Sequence, residues 1–224
     1  MNVFKQLTKF EWFLWIFSLI IVSISYTLIP QQNVFSLFAC LIGVTALIFC
    51  AKGFVLGQVL IVIFSVLYGI VSYTFAYYGE MITYLCISSP VAICAIISWI
   101  KHPYKETKQV EISKMSKNQH YIMWILTVFV TVTLYFILKA LENANIIFST
   151  ISVTTSFVAA YLTVVRSPFY AIGYACNDIV LIILWILATI ENLSYLPMIA
   201  CFVVFFINDL YGFFNWKKME KSQK

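Results

Sequence analysis

Charge is what this sequence has least of: only 10% of its 224 residues are Asp, Glu, Lys or Arg, where a soluble domain carries about 25%. So few charges cannot cover a water-facing surface, and a soluble globule is excluded. Histidine is nearly absent, with His102 and His120 both in one polar stretch. There is no H-E-x-x-H, no Walker A loop and no G-x-S-x-G. An enzyme is therefore not expected, and no catalytic residue, metal ligand or cofactor is assigned. The six cysteines (Cys40, Cys50, Cys86, Cys94, Cys176, Cys201) include no C-x-x-C and all lie in apolar runs, which reads as packing rather than a disulfide framework or a zinc site.

What the chain has is apolar length. It is 62% hydrophobic and 18% aromatic, and at about 1.5 Å per residue a helix needs about 20 residues to cross a hydrocarbon core of about 30 Å. The fold class is therefore an all-α integral membrane protein in a lipid bilayer, with about eight transmembrane helices. Apolar runs between charged or turn-forming residues place them at about 12–29, 34–51, 54–78, 81–100, 121–138, 146–165, 169–190 and 196–216. The breaks are Pro30-Gln31-Gln32, Lys52-Gly53, Gly79-Glu80, Arg166-Ser167-Pro168 and Glu191-Asn192, and Lys101 to His120 is a polar linker outside the bilayer. The first run is too long for a signal peptide and lacks a cleavage site, so it reads as a retained span.

The net charge of +5 does not indicate a nucleic-acid partner, because the basic residues border the apolar runs instead of sharing a face. Their placement reads as topology. Thirteen of the fourteen fall in the two termini and the 2–3, 4–5 and 6–7 connections, against Lys139 alone on the other side. Because Lys and Arg are retained in the cytoplasm, both termini are expected there in a multi-pass cell-membrane protein. Trp12, Trp15, Trp99, Trp124 and Trp216 fall at the same ends, where an amphipathic ring suits the headgroup level.

The chain also repeats itself. Trp15–Tyr26 and Trp124–Tyr135 run in parallel, Lys52-Gly53 corresponds to Arg166-Ser167 114 positions on, and Trp99-Ile100-Lys101 to Trp216-Lys217-Lys218 117 positions on. Four spans per half make the repeat parallel, with a pseudo-twofold along the membrane normal.

Two Asn-Asp pairs stand at membrane depth, Asn177-Asp178 in span 7 and Asn208-Asp209 in span 8. An intramembrane carboxylate costs about 2.5–3.5 kcal/mol on insertion scales, so it faces a protected interior and marks a candidate site. From helix rise both carboxylates lie about 10–13 Å from the same membrane face, and the pairs are expected to meet near the midplane. Their first-half counterparts by the offsets above are the apolar Phe64 and Ala92. The bland alternative is that each pair only ties helices together.

Tyr174 and Trp185 share a helical face with Asp178, a ring-plus-carboxylate set suited to a cationic aromatic ligand, although Trp185 equally suits an interfacial belt. Span 3 carries Gln58, Ser65, Tyr68 and Ser72 at helical spacing, a line expected to face a pathway. Ser149, Ser152, Ser156, Ala159 and Thr163 read as close helix packing. Pro90, after Ser88 and Ser89, is expected to kink span 4 and to serve as a gate element.

The Ala51-Lys52-Gly53 turn, the Tyr78-Gly79-Glu80-Met81 run followed by Pro90 and Trp99-Ile100-Lys101, and the ending with Asp178, Gly212 and Trp216 resemble the PnuC-type nicotinamide riboside transporter family. The resemblance runs from about Val34 to Lys218. It implies two parallel three-helix bundles joined by a linker helix, similar to the SWEET sugar transporters. The chain would then divide into an N-terminal tail and extra helix (1–33), a first bundle (34–100), a cytoplasmic linker and linker helix (101–145), and a second bundle with a basic tail (146–224). It also implies uptake of a vitamin or nucleoside by alternating access, with passive entry and trapping by a cytosolic kinase.

The resemblance implies that the nicotinamide riboside branch has an Asn and then a Pro-x-Gln at two positions where this chain has Tyr84 and Ala92. Tyr84 therefore joins the candidate binding residues, and nicotinamide riboside, thiamine, riboflavin or another nucleoside stays open as substrate, as does a homo-oligomer. The alternative from another class is a membrane-embedded vitamin-binding subunit of an ATP-driven importer. An aspartyl protease using Asp178 and Asp209 is disfavoured, because neither lies in a Gly-flanked turn.

Overall fold

A computed structural model describes residues 3–29, 33–74, 77–143 and 145–223. Eight helices in it are long and apolar enough to cross a membrane: α1 Lys9–Leu28, α2 Val34–Ala51, α3 Val55–Thr74, α4 Tyr78–Lys101, α5 Lys117–Ala140, α6 Ile146–Val164, α7 Tyr170–Glu191 and α8, with its preceding turn, Leu193–Ser222. The expected break at Pro30-Gln31-Gln32 lies outside the described residues. Gly79-Glu80, expected as a break, is buried inside α4, which starts three residues earlier than the apolar count suggested. A glutamate scored as a polar terminator is in fact an interior residue.

Local chemistry sets the helix ends. Thr8 and Glu11 form a reciprocal capping box at α1, Ser116 and Gln119 do the same at α5, and the Asn33 side chain accepts from the Phe35 amide at α2. Helix α4 is interrupted by a π-helical turn at Thr83–Ser88 just before Pro90. Proline offers no amide to the preceding turn, and the wider π turn absorbs that loss within a helix that continues to Lys101. Pro90 therefore does perturb span 4.

Six helices close into a ring. Each neighbours the next in the order α2, α3, α4, α6, α7, α8, and α8 returns to α2. Helix α1 packs outside against α2 and α8, and α5 against α6. Leu134 and Leu138 of α5 meet Ile87 of α4 and Val153 of α6, so α5 covers the seam between the two halves. Outward apolar residues such as Phe13, Phe17, Phe129 and Phe136 form the lipid face.

The repeat is visible in single hydrogen bonds. In the α2–α3 turn Phe54 N donates to Phe49 O (3.0 Å), and in the α6–α7 turn Ser167 N donates to Leu162 O (2.9 Å). Gly53 (φ 70°) and Arg166 (φ 58°) occupy the same left-handed position. The halves therefore superpose 113 positions apart in this region, one fewer than the sequence match suggested, because matching by charge aligned Lys52 with Arg166 where the backbone aligns Gly53 with it. Later in each half the offset of 117 holds. Trp99 Nε1 donates to Thr163 O (3.0 Å) across the α4–α6 seam, and Trp216 Nε1 donates to Cys50 O (2.8 Å) across the repeat-related α8–α2 seam. Both indoles are buried with their rings 5.4 Å apart, so these two tryptophans anchor one half to the other and are not interfacial belt residues.

Residues His102–Ser116 lie across the end of the bundle that carries both termini. Val110 N donates to Gly53 O (2.9 Å) and Ser113 N to Arg166 O (3.1 Å), one bond to each repeated turn. Gln223 bonds the same segment through Ile112 N (2.8 Å) and Val110 O (3.1 Å). The polar linker is thus an ordered strap. On the same face Glu11 joins Lys52 (3.1 Å) and the Tyr211 hydroxyl (2.6 Å), which fixes α1 to the ring.

Candidate functional site

Inside the ring lies a cavity of about 40 Å³, lined by Leu47, Ile61, Phe64, Ser65, Tyr84, Ser88, Tyr174, Asn177, Asp178, Phe205 and Asp209. Most of the lining comes in repeat-related pairs: Ile61 with Tyr174, Phe64 with Asn177 and Ser65 with Asp178 at 113 positions, and Ser88 with Phe205 at 117. The cavity therefore sits on the pseudo-twofold between the halves. With the corrected offset, the counterpart of Asp178 is Ser65 and not Phe64. Both first-half residues line the cavity, so one half supplies a ring and a hydroxyl where the other supplies an amide and a carboxylate.

Asp178 and Asp209 come together, as their depths implied. Both side chains line the cavity and both are buried, and Asp178 Oδ2 has no hydrogen-bond partner among the described residues. Asn177 is oriented by two hydroxyls, accepting at Oδ1 from Thr155 Oγ1 (2.8 Å) and Ser152 Oγ (3.2 Å), so the small-residue face of α6 also positions the site. Tyr174 and Tyr84 line the cavity from opposite halves.

Four expected site residues lie elsewhere. Asn208 turns away: its Nδ2 donates to Ser18 Oγ of α1 (3.0 Å) and to Val204 O (2.8 Å), so this amide ties helices, though to α1 and not to α7. Gln58 Nε2 donates to Cys50 Sγ (3.2 Å) against α2. Its position near the start of α3 puts it one turn short of the cavity wall. Trp185 and Tyr68 form a closure beside the cavity, with Trp185 Nε1 donating to the Tyr68 hydroxyl (3.1 Å). Trp185 is only 2% exposed, which excludes the belt reading. Tyr68 packs on Tyr84 (centroids 4.4 Å), Phe64 (5.5 Å) and Phe202 (5.7 Å), and Phe205 joins Phe64 (5.4 Å). Rings from both halves thus meet over the cavity.

The sequence reading missed Phe64, Phe205, Ile61 and Leu47 as lining residues, since an apolar side chain in an apolar span carries no signal. It also passed over Glu80, a third carboxyl group inside the ring, whose charge was legible but was assigned to a turn.

A drug-sized ligand pocket encloses about 300–1,000 Å³, so about 40 Å³ takes a few waters and no nucleoside until the rings separate. A duplicated ring of transmembrane helices with a buried polar site between its halves, closed by side chains that must part, is the construction of a multi-pass membrane transporter. The comparisons carry the class to a family. A family model described as "Nicotinamide mononucleotide transporter" matches residues 33–218, and the chain belongs to that family. A curated relative, the nicotinamide riboside transporter PnuC of Neisseria mucosa, is 30% identical over 192 residues, covering 82% of this chain and 72% of the relative. The crystal structure of the vitamin B3 transporter PnuC matches with a TM-score of 0.84 at 27% identity, over 97% of this chain and 94% of that one. The protein is a transporter and not an enzyme.

Proposed function

We propose that this chain carries nicotinamide riboside, or a vitamin of like size and charge, across the cell membrane by passive alternating access. The observation that carries the reading is the Asp178–Asp209 pair in a cavity faced by Tyr84, Tyr174 and Phe64. A pyridinium is a flat cation, and carboxylate plus aromatic faces are what recognise one. Asn177 and Ser65 supply hydrogen bonds for a polar sugar. Asp178, Asn177, Tyr174, Tyr84 and Asp209 are the direct binding set in this reading, and Tyr68 and Trp185 close over it.

Residues 34–100 and 146–224 act as the two moving halves, held at the end bearing the termini by the Trp99 and Trp216 anchors and the strap. Both termini and the strap lie in the cytoplasm, as thirteen of the fourteen basic residues favour. Net uptake follows from phosphorylation by a cytosolic kinase. Family membership weighs against the binding subunit of an ATP-driven importer.

Purified protein in liposomes tests this. Internal nicotinamide riboside should rise to the external concentration, indifferent to proton or sodium gradients, and exceed it only with an enclosed kinase and ATP. Entry of thiamine or riboflavin in its place would reassign the substrate, and accumulation driven by an ion gradient would overturn passive transport.

A further inference from the structure

Glu80 is 2% exposed inside the ring, and among the described residues neither of its carboxylate oxygens makes a hydrogen bond of full geometry. It sits four residues before Tyr84 on α4, hence one turn away on the same face, about 6 Å farther from the end that carries the termini. Tyr68, Tyr77 and Tyr84 are its electrostatic neighbours, and no Lys or Arg lies among them. The Ser152 hydroxyl is the one donor within its reach, and that hydroxyl is shared with Asn177 Oδ1 (3.2 Å). A buried carboxyl group with no cation beside it among the described residues is costly unless it meets a cation at some stage. Around it stand tyrosine rings, the other half of a cation-recognition set.

We infer that Glu80 is a second cation-recognising station of the transport path, standing on the far side of the Tyr68–Tyr84 pair from Asp178. This rests on the reading above that the substrate is a cation. Two carboxyl stations separated by one ring pair let the positive ring pass from carboxylate to carboxylate as the rings part, without crossing the aromatic layer uncompensated. Ser152 links them: through Asn177 it belongs to the Asp178 site, and its hydroxyl lies beside Glu80. Glu80 thereby selects charge and not shape.

The test uses the full chain in liposomes with two probes of the same size, nicotinamide riboside and its neutral dihydropyridine form. Glu80→Gln keeps volume and removes charge. It should slow entry of the cation at least tenfold while changing that of the neutral form less than twofold, with thermal stability unchanged or raised. Glu80→Asp, which keeps the charge one methylene back, should slow only the cation, by less than Glu80→Gln, and serves on its own should Glu80→Gln fail to fold. Equal effects on both probes, or none on either, would overturn the assignment. Asp178→Asn separates the two ideas. If it weakens cation binding about 30-fold while Glu80→Gln spares cation entry, Glu80 falls and the Asp178 reading stands. If wild-type protein carries neither probe, the substrate reading itself has failed.

Discussion

The carboxyl pair invites the sharpest perturbation. Two buried carboxyl groups lining one cavity cannot both stay ionised cheaply, so Asp178 and Asp209 together are expected to present one full negative charge to a ligand. A unit charge about 4 Å from a cation at an effective dielectric of about 20 contributes about 4 kcal/mol, near a thousandfold in affinity. Replacing one Asp by Asn keeps the volume and leaves the other carboxyl group to ionise, so the charge moves to its partner. Asp178→Asn should therefore weaken nicotinamide riboside binding by about 30-fold and Asp209→Asn by less than about 10-fold. The double variant should lose about a thousandfold, more than the product of the singles, since no charge remains to substitute. Calorimetric titration of purified protein gives all three constants, and retained thermal stability certifies folding. A double variant no weaker than Asp178→Asn alone would refute charge sharing. Affinities all within threefold of wild type would return both residues to a purely structural role.

Four further outcomes are expected. A Cβ at Gly57 would lie 2.5 Å from Cys50 N and 2.9 Å from Phe49 C, backbone atoms that cannot swing aside, so Gly57→Ala should cost about 3 kcal/mol. Gly212→Ala, whose nearest atom is 3.5 Å away, should leave stability level or raised in the same thermal unfolding assay. Trp99→Phe and Trp216→Phe each remove one indole donor from a buried carbonyl, and thermal denaturation should show matched losses of about 1 kcal/mol. Clearly unequal values would contradict their equivalence. A cysteine at the exposed Lys114, in a background without the native cysteines, should resist a membrane-impermeant thiol reagent in intact cells and react after lysis. Labelling in intact cells would invert the orientation.

Membrane residence, eight crossings and the duplication were determined by the sequence alone, because hydrocarbon imposes a length and a composition that local residues must meet one by one. Asp178, Asp209, Asn177 and Tyr174 were legible as site residues for the same reason, a polar group at membrane depth being conspicuous in one dimension. Direction around a helix was not legible. Asn208 and Asp209 are adjacent and equally polar, yet one faces α1 and the other the cavity, and only the packing of α8 between α1, α2 and α7 separates them. Trp99 and Trp216 look interfacial in sequence but are buried, because the partner carbonyl of each is contributed by the opposite half of the chain. Glu80 shows the limit most plainly: its charge marked a turn in sequence, and the closing of the ring made it an interior carboxyl group. Which apolar rings line the path, and which half supplies polarity at each symmetric position, depended on how the two repeats face one another. That is a matter of contacts about a hundred residues apart, and no local pattern encodes it.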